Sequence, residues 1–383
     1  MTHSLGLGVD LLWDSVIQKK SGLRKNDFDW CDLDCWIGKS PEVELSALPE
    51  SWHQWDCRNH RLAWMAMQDA VFRQALHNQI GKLGTTRVGL VVGTSTSGIR
   101  NTEIAYALRK TEGHWPEGFS YQHTHSVNAL CQFVSEALGI QGPAVGIASA
   151  CASSAKVFLT AQRWISQGIV DVVVVGGVDS LCLSTLHGFN SLQLLSNEMC
   201  RPFDRTRTGI SIGEAAGFVL LTQESCPVQF LGGGESSDAF HITSPQPDGL
   251  GAQAAMYEAL EATNLMAGDI DYINAHGTAT QSNDRAEAIA LETVFSGCDV
   301  PVSSTKGITG HTLGAAGIVE AILTIEAVNK QILPPLANFV QADIGVNLNL
   351  IHEARSASIK YAMSNNFGFG GTNCSLIFGR GGR

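Results

Sequence analysis

The run Asp171-Val-Val-Val-Val-Gly-Gly177 constrains the fold of this chain more than any other stretch. Four consecutive β-branched residues favour a strand, and an unbroken apolar run does not suit a strand with one wet face. Such a strand is covered on both sides, as in parallel sheets packed by helices. Val88-Gly-Leu-Val-Val92 and Ser375-Leu-Ile-Phe378 have the same character. Helical patterns over 155–166 and 318–329 lie at spacings suited to βαβ units. With 40 glycines and 16% charged residues among 383, the composition agrees with a compact α/β enzyme. The length suits about two domains or one double-sized core.

The two halves of the chain echo each other. "VGLVVGTSTSG" (88–98) resembles "IDYINAHGTAT" (270–280), a strand followed by a Thr-rich turn. "VGIASACASSAKVFL" (145–159) is echoed by "VPVSSTKGITGHTLGAAGIVEAIL" (300–323), and "VVVVGGVDSL" (172–181) more weakly by "YAMSNNFGFGGTN" (361–373). Three pairs in one order divide the chain into an N-terminal half, 1–228, and a C-terminal half, 229–383, joined near 226–234. Matching loops would then meet at one central site.

A formal net charge of −11 argues against nucleic acid as a partner, and an acidic partner would need a local basic patch. No apolar run reaches the roughly 18–20 residues of a membrane span. The opening "MTHSLGLGVDLLWDSV" does not have the build of a secretory signal. Ten cysteines then point to free thiols in a reducing compartment, the cytoplasm.

One cysteine stands apart. Cys151 in "GIASACASS" falls between a predicted strand and a predicted helix, among residues too small to shelter it. Amide N–H groups at a helix start favour negative charge, so a thiol there is expected to ionise more easily and act as a nucleophile. The plainer reading is a small buried hydrophobe. His276 in "NAHGTAT" and His311 in "STKGITGHTLGAAG" each adjoin a glycine in a loop after a strand, in the half opposite the cysteine. Neutral imidazoles there would suit a substrate carbonyl that gathers negative charge. A metal held by the same three residues is the alternative, and no close-spaced ligand pair supports it.

"ACASS", "RPFD" (201–204), "DAFHITSPQPDG" (238–249), "NAHGTAT" with Asn283-Asp284, "STKGITGHTLGAAGIVE" and "NNFGFGGTN" occur together and in order. As a set they resemble the β-ketoacyl-acyl carrier protein synthases of the thiolase superfamily. The resemblance runs from about residue 88 to the C-terminus and more weakly back to "LGLGVDLLWDSV". It implies an α/β, thiolase-like, five-layered αβαβα fold built from two similar halves.

The same resemblance implies an acyltransferase of the 3-oxoacyl-[acyl-carrier-protein] synthase type. Cys151 would take an acyl chain, and His276 and His311 would assist decarboxylation of a malonyl thioester in a Claisen condensation. Lys306 and Glu320 would form a buried ion pair that orders the histidine loop. Backbone N–H groups of Cys151 and Phe369 would make the oxyanion hole. Phe369 would gate the site against the loop of Asp238, and Thr278 and Thr280 would hold the pantetheine arm. No cofactor or metal is implied beyond the phosphopantetheine of the acyl carrier protein. Arg58 and Arg61, at i, i+3 on a predicted helix, resemble the family's carrier-docking residues. A dimer is implied, either with itself or with a chain-length-factor-like subunit, in fatty-acid or polyketide/polyene synthesis.

Some signals are set aside and some features depart from the pattern. Cys31 and Cys35 have no second pair nearby to complete a zinc site. Asp179-Ser-Leu lacks the helical hairpin of a carrier motif, and too little chain follows "FGFGGTN" for a dinucleotide unit. The chain starts about where relatives have completed a first strand, Ile210 stands where they have phenylalanine, and 121–139 diverges from the usual proline-containing segment. A non-catalytic chain-length-factor-like subunit is the main rival, and such subunits typically lack the cysteine. A coenzyme A thiolase would use a second cysteine, for which Cys374 is the candidate. A starter-unit synthase would pair its cysteine with one histidine and an asparagine.

Overall fold

The structure, a computed structural model, describes residues 1–382. Thr2–His3 (β1), Val88–Gly93 (β2), Ala144–Ile147 (β3), Val172–Asp179 (β4) and Ala215–Thr222 (β5) form one sheet, with Gly6–Leu7 beyond β1. Val228–Ser237 (β6), Tyr272–Asn274 (β7), Pro301–Ser303 (β8), Tyr361–Gly368 (β9) and Thr372–Arg380 (β10) form another, with Asn349–Leu350 beyond β8. The first runs β1–β5–β4–β2–β3 and the second β6–β10–β9–β7–β8. In each, the last three strands named are mutually parallel and the one before them is antiparallel. The echoing segments of the sequence occupy the same places: β2 matches β7, β3 matches β8, and β4 matches β9. The sheets are mixed rather than wholly parallel. Ser375–Phe378 lies within antiparallel β10, because an apolar run reports burial on both faces and not strand direction.

Side-chain alternation sorts each apolar run onto two cores. Val173 and Val175 of β4 and Val91 of β2 face a central layer. Val172 and Val174, with Val88, Leu90 and Val92, face outward onto the helices Arg58–Met67 and Val127–Leu138. Each such side chain contributes roughly 1.5–3 kcal/mol by leaving water. The central layer is a helix pair, Ser153–Ser166 (α1) and Ala316–Lys330 (α2), which packs on both sheets. Helices Leu250–Thr263 and Gln281–Val294 cover the outer face of the second sheet. Five layers result, as expected.

Small residues let the central helices begin almost in backbone contact. A Cβ on Gly317 would sit 2.3 Å from the Ala155 nitrogen, and one on Gly93 would sit 2.6 Å from Ser153 and Ser154. This explains the crowding of alanine, serine and glycine around Cys151 and after His311. The two buried residues of β1 pair with β5 at Thr2–Ala216, and the chain doubles back through Gly6–Leu7 to cover that edge. No helix among the described residues is long and apolar enough to cross a membrane.

Candidate active site

Cys151 sits on a sharp turn between β3 and α1. Ala150 before it adopts φ +46°, and the Ser153 hydroxyl pins the turn by donating to Ala150 O and accepting from Ser149 N–H at 2.8 Å. A left-handed alanine is a cost that functional turns carry. The sulfur points at the other half: His311 Nε2 lies 3.1 Å from Sγ. The Leu313 N–H donates to His311 Nδ1 at 3.1 Å, which places the proton of the neutral ring on Nε2, toward the sulfur. The His276 ring stands 5.3 Å from that of His311 at 87°. Lys306 Nζ lies 3.2 Å from His276 Nδ1 and also donates to the His276 carbonyl, so this ring too presents Nε2–H to the cavity. One reactive atom from each of the three residues lies within 4.8 Å of the others.

The electrostatics correct one expectation. Burial pushes the Cys151 thiol up to about 11, outweighing the Phe369 N–H that donates to it and the nearby Lys306 charge. The helix start does not leave the resting sulfur ionised, because at 6% exposure it has lost the water that would solvate a thiolate. Burial, reinforced by Lys306, holds both imidazoles well below 6.5 and therefore neutral. That donor set does not suit a divalent cation. A metal would need the Nε2 lone pair of each ring, whereas Nδ1 of His311 accepts from Leu313 N–H and Nδ1 of His276 faces Lys306 Nζ, which leaves the ring protons on Nε2.

Lys306 and Glu320 form a fully buried ion pair, and Asn366 also donates to Glu320 at 2.5 Å. The ion pair that the resemblance implies for Lys306 thus has a matching geometry. Thr278 and Thr280 line the cavity with hydroxyls 3.0 Å apart. Thr280 also caps the helix Gln281–Val294 by accepting from Asn283 N–H. Phe369 projects over the cavity against Phe189, at 5.3 Å between rings, with Ile210 also in the wall. Its turn is latched to the facing loop: Asp238 N–H donates to Gly371 O and Gly370 N–H to Ile242 O, both at 2.8 Å. The enclosed space over the sulfur is only about 50 Å³.

Arg58 and Arg61 do not form a free basic face. Arg58 is buried and clamped by Glu214, with Glu44 beside it, while Arg61 is closed bidentately on Asp56 at 2.6 Å. The helix turns Arg58 into the protein, where an unpaired guanidinium would be costly, and leaves Arg61 half-buried against Asp56. Cys374 lies on β10 facing the central layer, away from the cavity lining, so it cannot serve as a second active cysteine. Cys31 and Cys35 gather no third metal-binding side chain among the described residues.

The sequence did not single out several supporting residues. Glu287 accepts the N–H groups of His276 and Gly277 at 2.7 Å each, and burial pushes it up to about 8. Buried Arg207 ties Thr280 O and Gln281 O to Asp343. An acid 11 residues after His276, in the first turns of a helix, was the available signal for Glu287. Nothing in the spacing marked Arg207.

The comparisons agree with this geometry. Residues 57–226 match the family model described as beta-ketoacyl synthase, N-terminal domain, and residues 229–340 match its C-terminal domain. A 3-oxoacyl-[acyl-carrier-protein] synthase 2 of Rhizobium meliloti (strain 1021) is 37% identical over 99% of this chain and 97% of its own length. Nodulation protein E of Rhizobium meliloti is 35% identical over 83% of this chain and 81% of its own. A chain from the solved complex of the ketosynthase ApeO with its chain length factor ApeC, from Xenorhabdus doucetiae, superposes with a TM-score of 0.90. It is 35% identical, with 99% of this chain and 95% of that chain covered. With its Cys, His and His drawn together from two halves, the chain belongs to the β-ketoacyl synthase family.

Proposed function

We propose that the chain catalyses decarboxylative condensation between an acyl group carried on Cys151 and a malonyl-carrier thioester. The half 1–228 supplies the sulfur and 229–383 the imidazoles. The observation that carries this reading is the 3.1 Å approach of His311 Nε2 to Cys151 Sγ, with His276 beside it.

In the first step Cys151 Sγ attacks an acyl thioester while the departing pantetheine sulfur takes up the thiol's proton, so the exchange is proton-neutral. Backbone N–H groups of Cys151 and Phe369 receive the carbonyl oxygen as it gathers charge. In the second step the malonyl carboxylate leaves as carbon dioxide. The enolate oxygen takes hydrogen bonds from Nε2–H of His276 and His311. The enolate carbon attacks the Cys151 thioester, forming a carbon–carbon bond and expelling the sulfur, which one proton from solvent then neutralises. Neutral N–H donors suit this task because they keep their protons while stabilising the oxyanion. Thr278 and Thr280 would hold the pantetheine arm that enters beside them. No separate cofactor takes part.

The space of about 50 Å³ is little more than a water molecule or two, so loading an acyl chain requires Phe369 and the Asp238 loop to part. That opening breaks two backbone hydrogen bonds across the latch, each worth about 0.5–1.5 kcal/mol.

The carrier protein would dock elsewhere than on Arg58 and Arg61. Arg205 and Arg285 are exposed and make no ion pair among the described residues; Arg285 follows Asn283 of the cavity lining by two residues on the helix that Thr280 caps, and Arg205 precedes by two residues Arg207, which bonds Thr280 O. They suit an acidic carrier. At the edge of the first sheet β3 leaves its residues half-buried or exposed, which supports edge-to-edge pairing with a second synthase-like chain. The cysteines, all unpaired, fit the cytoplasm.

Intact-mass measurement after incubation with an acyl-carrier thioester tests the central claim. The wild type gains the acyl mass and Cys151→Ala does not; labelling that persists in the variant rejects the nucleophile and revives a non-catalytic partner subunit. Native mass of the chain alone separates a homodimer from a chain that needs a different partner.

A further inference from the structure

The loop bearing His311 belongs to the C-terminal half but is hydrogen-bonded into the N-terminal half. His311 N–H donates to Ser211 O at 2.7 Å, Gly213 N–H to His311 O at 2.9 Å, and Ile318 N–H to the Ser154 hydroxyl at 2.9 Å. A fourth tie differs in kind. Gly314 N–H donates to Asp179 Oδ2 at 2.5 Å, and Asp179 is the carboxylate at the end of β4.

Asp179 has no exposed surface. Its Oδ1 accepts from Thr94 Oγ1 at 2.7 Å, Ser95 N at 2.8 Å, and Thr96 N and Oγ1 at 2.9 Å each, and the Ser95 hydroxyl donates to Oδ2. Six donors converge on one carboxyl, five from the turn after β2 and one from the opposite half. Burial pushes this group up while those donors hold it down. A carboxylate so surrounded is kept only where its geometry is fully satisfied. Gly314 has no room to retreat: a Cβ there would lie 2.8 Å from both Asp179 Oδ2 and Ser95 N. One residue back, Leu313 holds φ +55° and its N–H fixes the His311 ring through Nδ1. The chain of contacts therefore runs from carboxylate to Gly314 N–H, through one peptide to Leu313 N–H, and on to the imidazole.

We propose that Asp179 is a positioning residue for the condensation: it fastens the His311 loop to the nucleophile's half and so fixes the aim of His311 Nε2–H at the reacting carbonyl. This rests on the condensing role of His311 given above. Charged acceptors make hydrogen bonds roughly twice as strong as neutral ones, which distinguishes this tie from the three beside it. Misplacing a catalytic group by about 1 Å costs on the order of 10²-fold in rate.

Asp179→Asn tests the assignment. The amide oxygen can keep the Thr94–Thr96 donors, but its NH₂ then meets Gly314 N–H donor to donor. The readouts are acyl loading of Cys151 and condensation with a malonyl-carrier thioester, each per mole of folded protein. Loading stays within about 3-fold and condensation falls about 10²-fold. Gly314→Ala perturbs the same contact from the other half and reproduces this split even where the asparagine variant does not accumulate. Thr94→Val, which removes a donor within the N-terminal half only, lowers stability and leaves the ratio of the two rates unchanged. Equal losses of loading and condensation in Asp179→Asn and Gly314→Ala, or condensation within 3-fold of wild type, overturn the proposal. Failure of Cys151→Ala to lose labelling would instead overturn the reading on which it rests, so the two failures are distinct.

Discussion

The turn after β2, Thr94–Gly98, and the turn after β7, Ala275–Thr280, occupy the same place in the two halves. Both are held by a buried carboxyl that accepts two consecutive backbone N–H groups: Asp179 takes those of Ser95 and Thr96, and Glu287 takes those of His276 and Gly277. They differ in what the turn presents. The N-terminal turn spends its hydroxyls on its own carboxylate, whereas the C-terminal turn carries an imidazole whose far nitrogen faces the cavity. One scaffold has thus been put to fastening in one half and to chemistry in the other. The lysine behind His276 has no counterpart behind Thr94.

That asymmetry can be broken experimentally. The largest effect is expected from Lys306→Met, which strands Glu320 as a buried unpaired charge and costs roughly 3–5 kcal/mol in urea unfolding. Adding Glu320→Leu recovers much of that stability, while condensation stays impaired because His276 Nδ1 has lost its donor. A double variant as active as wild type would show the pair to be structural only. His276→Ala is expected to lower condensation by about 10²–10³-fold, the usual effect of losing one oxyanion donor. Thr94→Val at the equivalent turn leaves the condensation rate per mole of folded protein within a few-fold. Similar losses at both positions would erase the distinction between the turns.

A third comparison uses pH. His3 and His60 of the N-terminal half are buried, bonded to the Gly8 and Trp55 carbonyls, and held down to about 4. Their unfolded values lie near 6.5, so the unfolded chain binds more protons below that pH. The stability they contribute is present above 6.5 and falls as pH drops from 6.5 to 4, by about 3 kcal/mol for each. His60→Gln should flatten that part of a urea-midpoint profile; an unchanged slope would dismiss His60 as its source. The smallest effect is expected from Arg205→Glu with Arg285→Glu, which raises KM for the carrier about 10-fold at low salt and little at high salt. An effect indifferent to salt would remove these residues from the docking surface.

Much of this was legible in the sequence because the strongest signals were local. The valine run, the echoing halves and the small residues around Cys151 each report a constraint within a dozen positions. Cys151 and His276 stood out because each closely follows a strand among small residues, and His311 because it adjoins Gly310 ahead of a small-residue helix, although the short helix Lys306–Thr309 separates it from β8. What the sequence left hidden depends on contacts between distant segments. Arg58 shows a helical spacing but not which way the helix faces, and only Glu214, 156 residues on, reveals that it is buried. Asp179 looked like part of an unrelated motif because five of its six donors come from more than 80 residues upstream. The thiol's proton affinity was misjudged for a similar reason: a helix start can be seen in sequence, but the depth of burial that outweighs it cannot.

The near-contact of Gly317 with Ala155 has a consequence for how such an enzyme can diverge. The spacing between sulfur and imidazole is set where two main chains meet, not by side chains free to change rotamer or size. Walls farther out, such as that around Ile210, can be rebuilt for differently shaped substrates while the reacting atoms keep their separation. Variation should therefore be tolerated around the cavity and resisted at that single crossing, where one added methyl group would push the machinery apart.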